Sequence, residues 1–378
     1  MTDAAFPRDL RPDPSEAPAG GGARPPRVLM VASFPPPFTG QTVATQAFAR
    51  WVRQVAEVDE LNLADPNRHQ RPSGAFSWDQ LARVWRVRRR IREGGPWDIG
   101  YLTLASSTLG DHVHQGSFGL ATRGWMRAPL RRTLVERVDR FLFIARTLAE
   151  WTPWIPPERL RIVPNPPGEG ARFTSVEVDG LQEARAGEKD YRVLFLANPL
   201  PDKGHQRLLA ALPRVREALT ERRRLRVDVV GAWPSPAKRA AYEERAAALG
   251  LEEVVRVHGA VRERTRVREL LARAHVLAFP STYREEGAPL AVIEAMGAGT
   301  PVVASSHGAL PEMVEDGRSG LVLERPDPEA LARALVRLAD AGRWRDFSTA
   351  ARARYEERYA PEAVRATFLD ALLDDDEP

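Results

Sequence analysis

FPSTYREEGAPLAVIEAMGAGTPVVASSHGALPEMVEDGRSGLVL, residues 279–323, is the most informative stretch of this 378-residue chain. It opens at the end of an apolar run, Val276–Phe279, that reads as a buried strand. The chain then passes through Glu286-Gly287-Ala288-Pro289 into a helical pattern. Proline suits the first helical position, where its missing N–H would be unpaired anyway, so a helix is expected to begin near Pro289. The free amides of a helix start point at any anion placed there, and the helix dipole adds to the attraction. Gly287 and Ala288 carry so little side chain that a diphosphate can approach the backbone closely, with Leu290 completing the turn. Glu294 falls in the opening turns of the same helix. A carboxylate there does not help bind phosphate, but it can accept a pair of hydrogen bonds from ribose hydroxyls beyond it. Glu286, ahead of the helix, is placed to accept from hydroxyls of a sugar. On this reading the two acids bracket a nucleotide-diphosphate sugar.

Outward from this stretch the same strand–turn–helix alternation recurs, which signals an α/β chain with parallel sheets. Before it come YRVLFLANP (191–199), LRVDVVGAW (225–233) and VVRVHG (254–259) as strands, with helical patterns between them. TPVVAS and SGLVLE follow as further strands. The first half shows the alternation in Arg27–Ala32, in Ile99–Leu104, in VDRFLFIAR (138–146) and in LRIVPNPP (160–167). Residues 168–188 are polar without evident periodicity and read as a linker. The organisation expected is a disordered tail over 1–26, an N-terminal Rossmann-like domain over 27–168 and a linker over 169–188. A C-terminal nucleotide-sugar-binding domain covers 189–355, and a helix over 356–378 crosses back to the first domain. A ligand belongs in the cleft between the domains, at the carboxyl ends of the strands.

Composition narrows the class. The 378 residues contain no cysteine, which excludes disulfides, thiolate metal sites and a cysteine nucleophile and suits a reducing cytoplasm. The apolar runs are too short to span a bilayer, and the tail lacks the apolar core of a signal peptide. The net charge is +4, concentrated in the first half: residues 1–180 hold 24 Arg/Lys against 19 Asp/Glu. Six arginines and one tryptophan lie between Arg83 and Arg92. They form either a solvated helix face or a surface for anionic lipid at the inner face of a membrane, where a lipid-linked acceptor would be met. No stacking aromatics or recognition helix accompany the charge, so nucleic acid is not an expected partner.

The paired glutamates, seven residues apart inside EEGAPLAVIEAMGAGTPVVAS, resemble the donor-binding signature of glycosyltransferase family 4, and GALPEMVEDGRSGLVL extends the likeness. The resemblance runs over about residues 27–373 and is strongest after residue 160. It implies a GT-B fold, α/β with two Rossmann-like domains facing a central cleft. It also implies a retaining, metal-independent glycosyltransferase that moves a sugar from a nucleotide-diphosphate sugar to a glycan, a lipid-linked sugar or a small molecule. No cofactor is expected, and no Asp-x-Asp motif follows a strand to suggest a metal. NPLPDKGHQRLLAAL (198–212) resembles the family's strand-end loop, whose lysine contacts the donor phosphates, which makes Lys203 a catalytic candidate beside Glu286. Where many members carry arginine, this chain has Asn198, a hydrogen-bond donor without charge. RVHGAV (256–261) resembles the segment that lines the base, with His258 read as a strand-end structural residue, and Asn165 is read as holding the crossover.

In the first half, PPPFTGQT resembles the family's glycine-bearing loop, with Gly40 at a helix start near the donor phosphates. HVHQGSFG (112–119) resembles a strand-end His-Gly segment, and His114 is the candidate near the anomeric centre. Only seven residues, Ala105–Asp111, separate this segment from the preceding strand, whereas parallel neighbours need a crossover of a dozen or more. Either a helix and strand are missing or HVHQG is a loop. A dehydrogenase would need a Gly-x-Gly-x-x-Gly after a strand, which is absent, and an epimerase fits Lys203 and the paired glutamates less well. A non-catalytic donor-binding GT-B paralogue is the alternative.

Overall fold

The computed structural model describes residues 25–32, 40–62, 89–102 and 132–373, apart from positions 55, 91, 95–96, 133–134, 151, 169, 171, 220–222 and 284–285. His114 and most of the arginine-rich run lie outside the described residues. Two parallel sheets make up the architecture. The first holds β1 (Arg27–Ala32), β2 (Glu57–Asn62), β3 (Trp97–Leu102), β4 (Val138–Phe143) and β5 (Leu160–Ile162), in the order β2-β1-β3-β4-β5. The second holds β6 (Asp190–Leu196), β7 (Arg224–Val230), β8 (Val255–Gly259), β9 (Val276–Phe279), β10 (Val302–Ser305) and β11 (Gly320–Leu323), in the order β11-β10-β9-β6-β7-β8. The helices in chain order are α1 (Gly40–Val52), α2 (Arg146–Ala149), α3 (Ser175–Gly187), α4 (His205–Ala218), α5 (Pro236–Ala248), α6 (Arg264–Arg273), α7 (Leu290–Gly297), α8 (Leu310–Met313), α9 (Pro328–Arg337), α10 (Ala341–Arg358) and α11 (Pro361–Leu373).

Strand order locates the site before any side chain is considered. In the second sheet the chain moves one way from β6 to β8 and then crosses back to build β9 to β11 on the other side of β6. The loops after β6 and β9 therefore diverge and leave a crevice at their carboxyl ends. In the first sheet the corresponding reversal lies between β1 and β3, and Gly40 opens α1 after β1. β3 pairs directly with β4, and HVHQG lies outside the described residues.

β2 was not among the expected strands. Its sequence EVDELN carries three acids and sits at the sheet edge, where only one neighbour pairs with it. A correction concerns the linker: residues 175–187 of the stretch 169–188 form α3. Thr174 caps it in a capping box with Glu177, two donors satisfied reciprocally. Its inward face runs through Val178, Leu181, Gln182 and Arg185, a helical spacing hidden because polar residues occupy two of the four positions. Arg185 is 2% exposed and spends its donors on the Ala274 carbonyl (3.0 Å), the Thr300 hydroxyl (3.0 Å) and the Ala298 carbonyl (2.6 Å). Its guanidinium lies 5.7 Å from the Trp344 ring. The helix is thus bolted to the second domain. At the other end of the chain, Val364, Phe368 and Ala371 of α11 pack with Val28, Met30 and Phe48 of the first domain.

Next to Arg185, His275 is fully buried, with Nδ1 accepting from the Arg192 amide (3.2 Å) and Nε2 donating to the Arg185 carbonyl (3.0 Å). Burial, with help from the nearby Arg223, Arg185 and Arg192 charges, pushes the imidazole down to about 4. The unfolded chain therefore holds a proton here between pH 4 and about 6.5 that the native protein does not. The stability this provides is fully present above that range and is lost as pH falls through it, about 3 kcal/mol in all. Urea unfolding at pH 7.5 and pH 5.0 is expected to show a loss of about 2 kcal/mol from this group. His275→Gln is expected to be less stable at pH 7.5 and to lose less on acidification; an unchanged slope would remove His275 as the cause.

Candidate functional site

Lys203 ends a short 3-10 turn, Pro201–Lys203, on the loop after β6, and Glu286 lies on the loop after β9. The two loops are fastened together where they flank the crevice. Thr282 donates its amide to the Asp202 carbonyl (2.7 Å). Gly204 at φ +83° passes so close to Pro280 that a Cβ would lie 2.2 Å from its carbonyl oxygen, so glycine alone fits. With the backbones clamped, the Lys203 ammonium meets both oxygens of Glu286, at 2.8 Å and 2.6 Å. It also lies 4.9 Å from the centre of the Tyr283 ring. The Ser281 hydroxyl donates to the same carboxylate. Glu286 is 6% exposed, and these partners offset the cost of taking its carboxylate out of water. Its backbone is held as well: the Ala309 amide donates to the Glu286 carbonyl (2.8 Å), and Gly308 leaves room for that approach.

The turn beyond Glu286 differs by one residue from the expectation. Pro289, at φ −66° and ψ 127°, is the extended N-cap, and the helix α7 begins at Leu290. No side chain caps this N-terminus. A proline N-cap has no side-chain acceptor to offer the first amides, so the helix start keeps donors for another ligand. Ala288 is buried, and its carbonyl accepts from the Asn165 side chain (3.1 Å), which gives Asn165 its place in the crossover between domains. Gly287 lies against Ile144 and Leu148 of the first domain, so a Cβ there would stand 3.4 Å from Ile144. Leu290 contributes its side chain to the core of the second domain.

Glu294 is set apart from the Lys203–Glu286 pair. It is 2% exposed, among Val292, Ile293, Ala295 and Met296, all buried. Burial raises its carboxyl above the usual range, opposed by the Arg264 guanidinium that binds Oε1 and by the Gly168 amide. Asn198 is exposed, and its side-chain oxygen accepts from the Ala232 amide (2.9 Å), tying the ends of β6 and β7. A neutral amide serves that purpose where an arginine would not, which accounts for the departure at this position. His258 bonds through Nε2 to Asp228 (2.6 Å) between β7 and β8, a structural contact.

Sequence reasoning missed Ser281, Arg264 and Glu312. Glu312, on α8, accepts from the amides of Arg146 (2.9 Å) and Thr147 (2.6 Å) at the start of α2, and from the Thr147 hydroxyl, across the two domains. Only GALPEM as a motif pointed there, and Arg264 had no signal beyond its position after VHGAV.

Known proteins resemble this chain in sequence and in fold. Residues 190–341 match the family described as glycosyl transferases group 1. A D-inositol 3-phosphate glycosyltransferase of Streptomyces griseus is 39% identical over 160 residues, 40% of this chain and 33% of that protein. An MMP alpha-(1->4)-mannosyltransferase of Mycolicibacterium hassiacum is 30% identical over 240 residues, 59% of this chain and 53% of that protein. The chain thus spans about a third to a half of the length of these curated relatives. The crystal structure of a glycosyltransferase from Rickettsia africae superposes with a TM-score of 0.65 at 14% identity, covering 93% of this chain and all of that one. The fold is therefore GT-B, and residues 190–341 are similar to the glycosyl transferases group 1 family.

Proposed function

We propose that this protein is a retaining glycosyltransferase of the family 4 type that takes its sugar from a nucleotide-diphosphate donor without a metal. The observation that carries the reading is the Lys203–Glu286 pair beside the uncapped start of α7, at the strand ends where the second sheet reverses. Before donor binds, the lysine charge rests on Glu286. With donor bound, the diphosphate takes up part of that charge together with the α7 amides, and Glu286 turns its acceptor capacity to a sugar hydroxyl. As the glycosidic bond breaks, negative charge grows on the leaving diphosphate, where a preorganised cation contributes most. Front-face attack, assisted by the leaving phosphate, retains the anomeric configuration. Gly40, at the start of α1, is proposed to lie near the donor phosphates, and His114 near the anomeric carbon. The relatives act on inositol phosphate and mannosyl substrates by name, which makes a phosphorylated or glycosidic acceptor the class to test first.

Lys203→Ala is expected to lower turnover about 10²–10³-fold at saturating donor. It also leaves Glu286 buried and unpaired, at a stability cost on the order of 3 kcal/mol. Combining Lys203→Met with Glu286→Gln separates the two effects. Its melting temperature returns toward that of the parent, whereas turnover stays low. Recovery of turnover in the double variant would show that the lysine serves the fold alone.

Glu294→Gln is expected to weaken nucleotide-diphosphate binding by about tenfold or more, since hydrogen bonds to a charged group contribute ~1.5–3 kcal/mol. Calorimetric titration of the folded variant checks this, and unchanged affinity would take Glu294 out of the donor site.

Peripheral contact with anionic lipid, and a lipid-linked acceptor, form the finer part of the proposal. No helix among the described residues is long and apolar enough to cross a membrane. Arg89 pairs with Glu93 and Arg90 with Asp59, yet both arginine side chains are more than half exposed, and such pairs are weak in water. Co-sedimentation with anionic vesicles at low salt is the measurement. Binding that disappears in high salt, and in Arg86→Gln/Arg89→Gln/Arg90→Gln without loss of donor affinity, is expected. Wild-type protein left in the supernatant would make these arginines a solvated face.

A further inference from the structure

Arg264 is the first residue of α6, directly after the N-cap acid Glu263, whose side chain makes no cap hydrogen bond. Arg266 of the same turn pairs with Glu269 within the helix, whereas Arg264 meets an acid outside it. The guanidinium reaches over to α7 and binds Glu294 Oε1. It does so beneath the strap that joins the domains. A Cβ on Gly168 would fall 2.4 Å from Glu294 Oε1 and 3.0 Å from Arg264 Nη2, so the absence of a side chain at Gly168 is what lets strap, cation and carboxylate meet. The Arg264 side chain is 38% exposed and Glu294 only 2%, so the pair presents its cationic member toward water and its acid inward.

We propose that Arg264 is a positioning residue of the donor site: it keeps Glu294 ionised and aimed, and thereby sets the preference for a ribose over a deoxyribose nucleotide. The inference rests on the reading of Glu294 as the ribose ligand. An ionised carboxylate accepts from two hydroxyls at once, whereas a protonated one must use part of its capacity as a donor. In the apolar middle of α7, a carboxylate without its cation takes up a proton. The other ionisable groups facing α7 do not replace Arg264. Arg352 of α10 bonds to the Gly297 carbonyl at the far end of the helix and pairs with Glu356, and Tyr355 lies beside Gly297. Arg50 of α1 is exposed, and β9 and β10 carry no charge. Among the described residues, the Gly168 amide shares the carboxylate with Arg264.

The test compares uridine, adenosine and guanosine diphosphates with their 2′-deoxy counterparts by calorimetry, from pH 6 to pH 9. Wild-type protein is expected to favour the ribonucleotide by about tenfold across this range, and Glu294→Gln to lose the preference. Arg264→Gln is expected to lose it at pH 7 and to regain part of it as pH rises and Glu294 ionises. Arg264→Lys, which keeps the charge, is expected to retain most of it and guards against a folding failure of the Gln variant. If Arg264→Gln discriminates as wild type does at every pH, or if folded Arg264→Lys loses the preference entirely, the positioning role is overturned. If wild type binds none of the diphosphates, or Glu294→Gln discriminates normally, the donor reading itself falls and the inference falls with it.

Discussion

Two carboxylates taken out of water beside an uncapped helix start are the constraint on which the rest of the site depends. Glu286 and Glu294 are 6% and 2% exposed, and burying a carboxylate is costly unless it is paired. Each receives a cation from a different element: Lys203 from the loop after β6, Arg264 from the first turn of α6. Those elements stand on either side of β9 and α7 only because the strand order reverses beside β6. The sheet topology is therefore more than a scaffold for the loops. It brings cations encoded 83 residues before Glu286 and 30 before Glu294 to the acids that need them.

The parallel α/β class was legible because buried parallel strands are short apolar runs that local sequence cannot disguise. Val276–Phe279 and Val302–Ser305 are buried at every position, the first apolar throughout and the second apolar but for its terminal serine. The Lys203 loop and the paired glutamates were legible through their resemblance to family motifs, with the small residues Gly287 and Ala288 ahead of the helix start. Their partners were not. Arg264 is one arginine among many, and nothing in RERTRVREL distinguishes the one that turns toward a carboxylate on another helix. α3 stayed hidden for a related reason: its inward face ends in Arg185, whose hydrogen bonds to Ala274, Ala298 and Thr300 exist only after the second domain has folded. Edge strand β2, with acids at three of six positions, lacked the apolar run that marked the inner strands.

The position of the domain contacts follows from the same loop. Glu286 offers its side chain to Lys203 and its carbonyl to Ala309, and Ala309 is buried within the core of the first domain, near Phe141, Phe143 and Leu148. Three residues on, Glu312 closes the start of α2 by accepting two backbone amides and the Thr147 hydroxyl. Arg354 of α10 in turn donates to the Glu312 carbonyl (2.9 Å), so the loop is braced from behind by the second domain. One short run of chain thus touches Glu286, the neighbouring domain and the long helix α10. Separation of the domains would strip Glu312 from the α2 amides and expose Ala309, and both changes act on the backbone that holds Glu286. The backbone at Glu286 and the contact with the first domain are therefore joined through residues 308–312.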